Sequence, residues 1–202
     1  MAAKVLSDAE FPEGDLWVFG YGSLIWNPGF EFLEKKPARL IGEHRSLCIY
    51  SMVHRGTPEK PGLVLGLDRG GACQGIVFKV ASDKRHGTVR YLREREQVTS
   101  VYREVMRSVW IEGDARQRVS ALVYVADRSH DQYAGRLSLE EQLRLVRQGH
   151  GNFGPNDEYI IATVAALEAQ GIRDVPLHQL AAKLHGEAAL HRPASHEQSS
   201  AS

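Results

Sequence analysis

A chain of 202 residues is long enough for one compact domain, which at this size hides about 70% of the surface its unfolded form exposes. Lysine and arginine number 25, as do aspartate and glutamate, and no run of like charge interrupts the sequence, so nothing marks a polyanion-binding surface and nucleic acid is not an expected partner. No apolar run approaches the roughly 18 residues that a membrane-spanning helix needs, so no membrane association is expected.

The first 14 residues, with Pro12, Gly14 and several acids, read as a flexible leader without the apolar stretch of a secretory signal. The main body is expected over residues 15–187 as a single domain. Leu16 to Tyr21 mixes aromatics with valine ahead of a glycine turn and reads as a buried strand. Residues 38 to 50 alternate in two pieces around Gly42 and are read as strand. Residues 51 to 62 collect prolines, glycines and charge, the composition of a long loop. "LVLGL" and "CQGIVFKV" follow as two short strands, with Gly70 and Gly71 between them supplying a hairpin turn.

From residue 84 to 97 strand alternation gives way to good helix formers. "SVYREVMRSVWIEG" and "VSALVYVA" then read as a second hairpin around "DARQR". Ser138 with Glu141 forms a capping-box pattern that opens a helix, and Gly149 stops it. The glycine-rich "HGNFGPN" precedes a helix that runs to Gly171, and "PLHQLAAKLHGEAAL" makes a last one. Residues 188–202 are polar and read as a disordered tail. Strands crowd the first two thirds and helices the last third, so the class is α+β around a mostly antiparallel, barrel-like sheet.

Two cysteines, Cys48 and Cys73, lie in apolar-leaning runs with no C-x-x-C spacing; they suit buried thiols in a reducing, cytoplasmic setting, and a single bridge between them stays open. The nine histidines contain no H-E-x-x-H, and His178 and His185 have no carboxylate or cysteine close by in sequence, so no metal site is expected. Ser23 does not sit in a G-x-S-x-G elbow.

Two features could carry chemistry. Gly20-Tyr21-Gly22-Ser23 ends a buried strand, where paired glycines can adopt positive φ and turn several amides toward one anion. The Rossmann and P-loop patterns are both incomplete there, and a turn that needs glycine only for sterics meets the same spacing. Glu96 is the second. At about 100° per residue, Val89, Leu92 and Glu96 share a sector of roughly 60°, while Glu94 points away. An inward carboxylate must be paired, protonated or lining a cleft. A salt bridge to Arg90, Arg93, Arg95 or Arg103 accounts for it equally. Tyr102, Tyr124 and Tyr159 read most simply as core or rim.

Taken in order, "VFGYGSLIWNPGF", "HRGTPEKPG" followed by "CQGIVFKV", "YLREREQ" and "GPNDEYI" resemble the ChaC-type γ-glutamylcyclotransferases, the glutathione-specific branch, across most of residues 16 to 165. The resemblance implies a small mixed, mostly antiparallel β-barrel flanked by helices, in the cytoplasm, with no cofactor and no metal. It implies that the turn Gly20, Tyr21, Gly22, Ser23, Leu24, Ile25 wraps a γ-glutamyl group and that Glu96 is the acid/base. Arg55, Tyr102 and Tyr159, in or beside the family motifs, are candidates to bind the substrate, glutathione. The chemistry would be intramolecular: the α-amine attacks its own γ-carbonyl, releasing 5-oxoproline and Cys-Gly. Other γ-glutamyl amino acids or amines would use the same groups. A non-catalytic γ-glutamyl-binding module and a regulatory partner of a cation transporter remain alternatives, and protein partners are unknown.

Overall fold

The computed structural model describes residues 5–96, 100–113 and 117–190, with side chains to residue 186. The tail expected beyond residue 188, the start of the leader and the tip of the "DARQR" turn fall wholly or largely outside them.

Five strands close into a barrel in the order β1-β3-β2-β4-β5. They are β1 (Leu16–Gly20), β2 (Glu34–Ser51), β3 (Gly62–Val80), β4 (Tyr102–Ile111) and β5 (Arg118–Ala126). All pairings are antiparallel except the closing one, β1 beside β5. Four helices flank the barrel: α1 (Arg85–Glu96), α2 (Leu139–Gln148), α3 (Asn156–Glu168) and α4 (Val175–Leu190). The expected mixed barrel with flanking helices is therefore what the chain builds.

The strand boundaries differ from the sequence reading in one informative place. "LVLGL" and "CQGIVFKV" are not a hairpin; they form one continuous strand, and β2 likewise runs through Gly42. The two pair along most of their length as a long ribbon, with an irregularity between Ile41 and Glu43. Gly42, Gly70 and Gly71 have φ of 99°, 97° and 68° at that point. Positive φ serves a bulge as well as a turn, so the same residues bend a ribbon here instead of ending a strand. The true turn of this ribbon is the loop between Ser51 and Gly62, within the segment read from sequence as a long loop.

Period-2 alternation separates the two buried faces. Leu16 and Val18 of β1, with Leu122 and Tyr124 of β5, pack with Val89 and Leu92 of α1. Phe19, Val123 and Val125 face a second cluster that takes in Leu143 of α2, Ile160 of α3 and Leu180 of α4. Both strands are covered on both faces, which is why they read as almost unbroken apolar runs. The sequence-predicted capping box is formed: Ser138 N–H donates to Glu141 at 2.8 Å, and Glu141 N–H donates back to the Ser138 hydroxyl at 3.2 Å.

The leader carries Leu6 and Phe11 into the α1 cluster. Leu6 N–H donates to Glu104 at 2.9 Å. Glu104 is 0% exposed and also accepts from Arg93 of α1 and from the Tyr124 hydroxyl. A buried carboxylate so surrounded by donors is satisfied where it stands, and it ties leader, helix and barrel at one point. Cys48 and Cys73 are free and buried; burial pushes their thiols up, to about 12 and about 11. No helix among the described residues is long and apolar enough to cross a membrane.

Candidate active site

A cavity of about 780 Å³ opens where the end of β1, the end of α1, the loop 51–62 and the start of α3 meet. Its lining includes Tyr21, Gly22, Ser23, Leu24, Arg55, Glu96, Tyr102 and Tyr159. Gly20 and Ile25, also expected to bind substrate, are not among the lining residues. Gly20 stays in the strand wall, where an added Cβ would lie 3.1 Å from both Leu24 and Phe78, and Ile25 is buried in the core.

The turn itself departs from expectation in its backbone. Neither Gly20 nor Gly22 has positive φ. Gly20 is needed for close packing, whereas a Cβ at Gly22 would meet Leu65 and the Tyr159 hydroxyl only at ordinary contact distances of 3.6 and 3.9 Å. After Gly22 the chain makes one short helical turn, Ser23–Ile25, in which Ile25 N–H donates to the Gly22 carbonyl at 2.9 Å. The opening amides of such a turn have no acceptor within it. Arg45, with a side chain only 3% exposed, holds the turn from below. It donates to the carbonyls of Tyr21 and Gln74 at 2.6 Å each and pairs with Asp174 at 2.9 Å. Asp174 in turn caps α4 through Leu177 N–H at 3.2 Å.

Glu96 closes α1 and lines the cavity, and Val89 and Leu92 are buried as predicted; Glu94, expected to point away, is exposed but borders the same cavity at its rim. Its side chain is 17% exposed and one oxygen lies 3.3 Å from Arg95 Nε. Burial raises the Glu96 pKa above its ordinary value, and the Arg95 charge opposes that rise. The ion pair anticipated from sequence and the cavity are thus both present. Arg95 is also a cross-link. It donates to the Ser23 hydroxyl at 2.8 Å, to the Asn27 carbonyl at 2.6 Å and to the Tyr91 hydroxyl at 3.0 Å.

Tyr102 and Tyr159 meet on the backbone of one residue, Leu65. β1 covers β3 only from Ile76 to Val80, so nearer its start the side of β3 away from β2 needs other partners. There Tyr102 donates its hydroxyl hydrogen to the Leu65 carbonyl at 2.7 Å, and Leu65 N–H donates to the Tyr159 hydroxyl at 3.3 Å. Two residues earlier Asn156 makes a pair of hydrogen bonds with Leu63, accepting from its N–H at 2.6 Å and donating to its carbonyl at 2.8 Å. Side chains from β4 and α3 therefore take the place of a missing strand and fix the cavity wall. Tyr102 has committed its proton; Tyr159 accepts, and keeps its own to give. Burial pushes the Tyr159 hydroxyl up to about 12 and raises Tyr21 and Tyr102 well above their ordinary range, so all three remain neutral at physiological pH.

Arg55 comes from the opposite side. Its guanidinium lies 5.5 Å above the Tyr159 ring and donates to the Pro155 carbonyl at 3.0 Å. Sequence reasoning did not find Arg45, Asn156 or Glu104, because their partners lie 11 to 129 residues away on other elements and no local pattern marks them. Among the described residues, no group of three or more His, Cys, Asp or Glu side chains could hold a metal ion.

A glycine-edged turn with open amides, facing a desolvated carboxylate across a tyrosine-walled cavity, is a site for small-molecule acid/base chemistry. Residues 16–186 match the ChaC-like protein family, and the chain belongs to that family. It is 31% identical over 170 residues to the glutathione-specific gamma-glutamylcyclotransferase of Escherichia coli K12, covering 83% of this chain and 72% of that one. It is 33% identical over 151 residues to glutathione-specific gamma-glutamylcyclotransferase 1 of Danio rerio, covering 74% and 77%. Among solved structures, the gamma-glutamyl cyclotransferase specific to glutathione from yeast shares the fold with a TM-score of 0.79 at 22% identity, covering 86% of this chain and 97% of that one.

Proposed function

We propose that the protein is a glutathione-specific γ-glutamylcyclotransferase that converts glutathione to 5-oxoproline and Cys-Gly inside the cell. The observation that carries the proposal is Glu96, a carboxylate with a raised pKa that lines the same cavity as the Tyr21–Leu24 turn.

The reaction needs a folded substrate and two proton transfers. Bringing the α-amine onto its own γ-carbonyl makes the attack intramolecular, and a shaped cavity supplies that fold. Glu96 accepts a proton from the substrate ammonium, and the free amine attacks. The new C–N bond converts the carbonyl to a tetrahedral oxyanion, which the open amides at Ser23 and Leu24 stabilise by about 3 kcal/mol per well-aimed donor. Glu96 returns the proton to the departing cysteinyl nitrogen as the old C–N bond breaks, and the second surplus proton of the ring nitrogen follows the same route. Two protons pass from attacking to leaving nitrogen, and the carboxylate ends as it began. A pKa above the ordinary range suits this shuttle, since it makes Glu96 a stronger base and still a competent acid. Tyr102 and Tyr159 shape the γ-glutamyl pocket, and Arg55 contacts the substrate.

The test is incubation with glutathione and with several γ-glutamyl amino acids, following 5-oxoproline by mass. Release from glutathione in preference to the others supports the proposal. Saturable glutathione binding without 5-oxoproline would instead assign the pocket to sensing.

A further inference from the structure

We propose that Arg55 is the specificity anchor for the carboxylate at the far end of the leaving peptide, so that the site selects γ-glutamyl peptides over γ-glutamyl amines. The inference deepens the cyclotransferase reading and rests on it.

Arg55 is held as a built element. Its N–H donates to the Ser51 hydroxyl at 2.9 Å. Its carbonyl is so close to Gly62 and Gly149 that a side chain at either glycine would collide with it, and Gly56 beside it is boxed in by Gly62, Ser51 and Lys60. The loop that the sequence marks as long and polar is therefore packed backbone against backbone. From it the guanidinium projects over Tyr159 and spends one donor on the Pro155 carbonyl. Among the described residues no carboxylate lies within ion-pair distance of Arg55, although Glu158 is near enough to act on its charge. Burial disfavours that charge, so a half-buried, stacked cation facing a cavity calls for an anion from outside.

Glutathione offers two carboxylates, and their covalent distance from the reacting amine separates them. The α-carboxylate is two bonds from the amine that Glu96 must reach, so it stays at the Glu96 end. There Arg95 is the cation that acts on Glu96, whereas the groups that act on Arg55 are Tyr159 and Glu158. Tyr159 is shared by the two: the Arg55 guanidinium lies 5.5 Å over its ring, and Glu96 acts on the same side chain. The terminal carboxylate lies two residues beyond the γ-carbonyl, a reach of about 7 Å when extended. That reach suits the cation stacked over the Tyr159 ring.

The experiment compares glutathione with its C-terminal amide, following 5-oxoproline release by the wild type, Arg55→Gln and Arg55→Lys. The wild type should favour the acid by roughly 10- to 100-fold in kcat/KM, mainly through KM, as expected for one charge-assisted contact. Arg55→Gln should lose the preference for the acid, falling further on glutathione than on the amide, with Arg55→Lys recovering part of it. Equal use of acid and amide by the wild type overturns the proposal, and this comparison decides even if the variants fail to fold. An equal loss on both substrates in Arg55→Gln also overturns it, placing Arg55 on a group both share. If the wild type turns over neither, the cyclotransferase reading fails first, and the anchor falls with it.

Discussion

Arg95 donates to the hydroxyl of Ser23 at 2.8 Å, and so the last turn of α1 is tied directly to the turn that faces it across the cavity. The same guanidinium lies 3.3 Å from Glu96, so one side chain sets both the spacing of the two working groups and the charge beside the acid. Arg93, about 200° around the helix from Arg95, grips Glu104 on the other flank. Glu96 lies in the sector between these two tethers.

Replacing Arg95 with glutamine should therefore act twice. The loss of the Ser23 and Asn27 bonds should lower kcat. Removing the positive charge that opposes the raised Glu96 pKa should carry the acid limb of the kcat/KM profile to higher pH. Tyr21, Tyr102 and Tyr159 also act on or face this carboxylate, but they stay neutral across that range and add no limb of their own. Arg95→Lys keeps the charge without the fork, so its acid limb should stay near that of the wild type while its rate falls. A pH–rate series on the three proteins checks both effects.

Glu96→Gln should abolish most turnover, by about 10²- to 10⁴-fold, while glutathione still binds in calorimetry. The same change should stabilise the fold at neutral pH. The folded-state pKa of Glu96 is raised, so the folded chain holds this proton more tightly than the unfolded one, and ionising the group costs stability as pH rises through the folded value. Glutamine removes that cost. Melting curves at pH 7 should show a Tm increase on the order of 2–4 °C, shrinking as the pH is lowered below the ordinary glutamate range.

Asn156→Ala removes both bonds to Leu63 and leaves a buried N–H and carbonyl unsatisfied. The expected loss is about 3 kcal/mol or more, read as a Tm decrease on the order of 10 °C. Because α3 also carries Tyr159, KM for glutathione should rise in the same variant.

Asp174→Ala leaves Arg45 without its acidic partner in a place where the side chain is almost fully enclosed. Breaking such a pair from one side costs about 3–5 kcal/mol. Replacing both residues with apolar ones should recover part of the stability but not the activity, since the Tyr21 carbonyl would have lost its donor.

Much of this was legible in the sequence where the signal is local. The inward face of α1 follows from a 3.6-residue period, which is why Glu96 could be told from Glu94 by burial, although both carboxylates border the cavity. The Ser138 cap follows from a spacing of three. The ribbon was misread because Gly42, Gly70 and Gly71 have the same backbone preference in a bend as in a turn. The glycine turn forms where expected but for a different reason at Gly20, since crowding against Leu24 and Phe78, not positive φ, excludes a side chain there. Arg45, Asn156 and Glu104 were not legible, for each is defined by backbone or carboxylate groups that only the closed barrel brings near.

The interlocked backbones around Arg55 have a consequence for ligand design. A receptor assembled in advance gives up little motional freedom when it is occupied, so the entropic cost of capture falls on a flexible tripeptide that must curl before it can react. A ligand already curled, with a tetrahedral centre fixed in a five-membered ring and the terminal carboxylate retained, would be spared that loss and should outcompete glutathione by a wide margin.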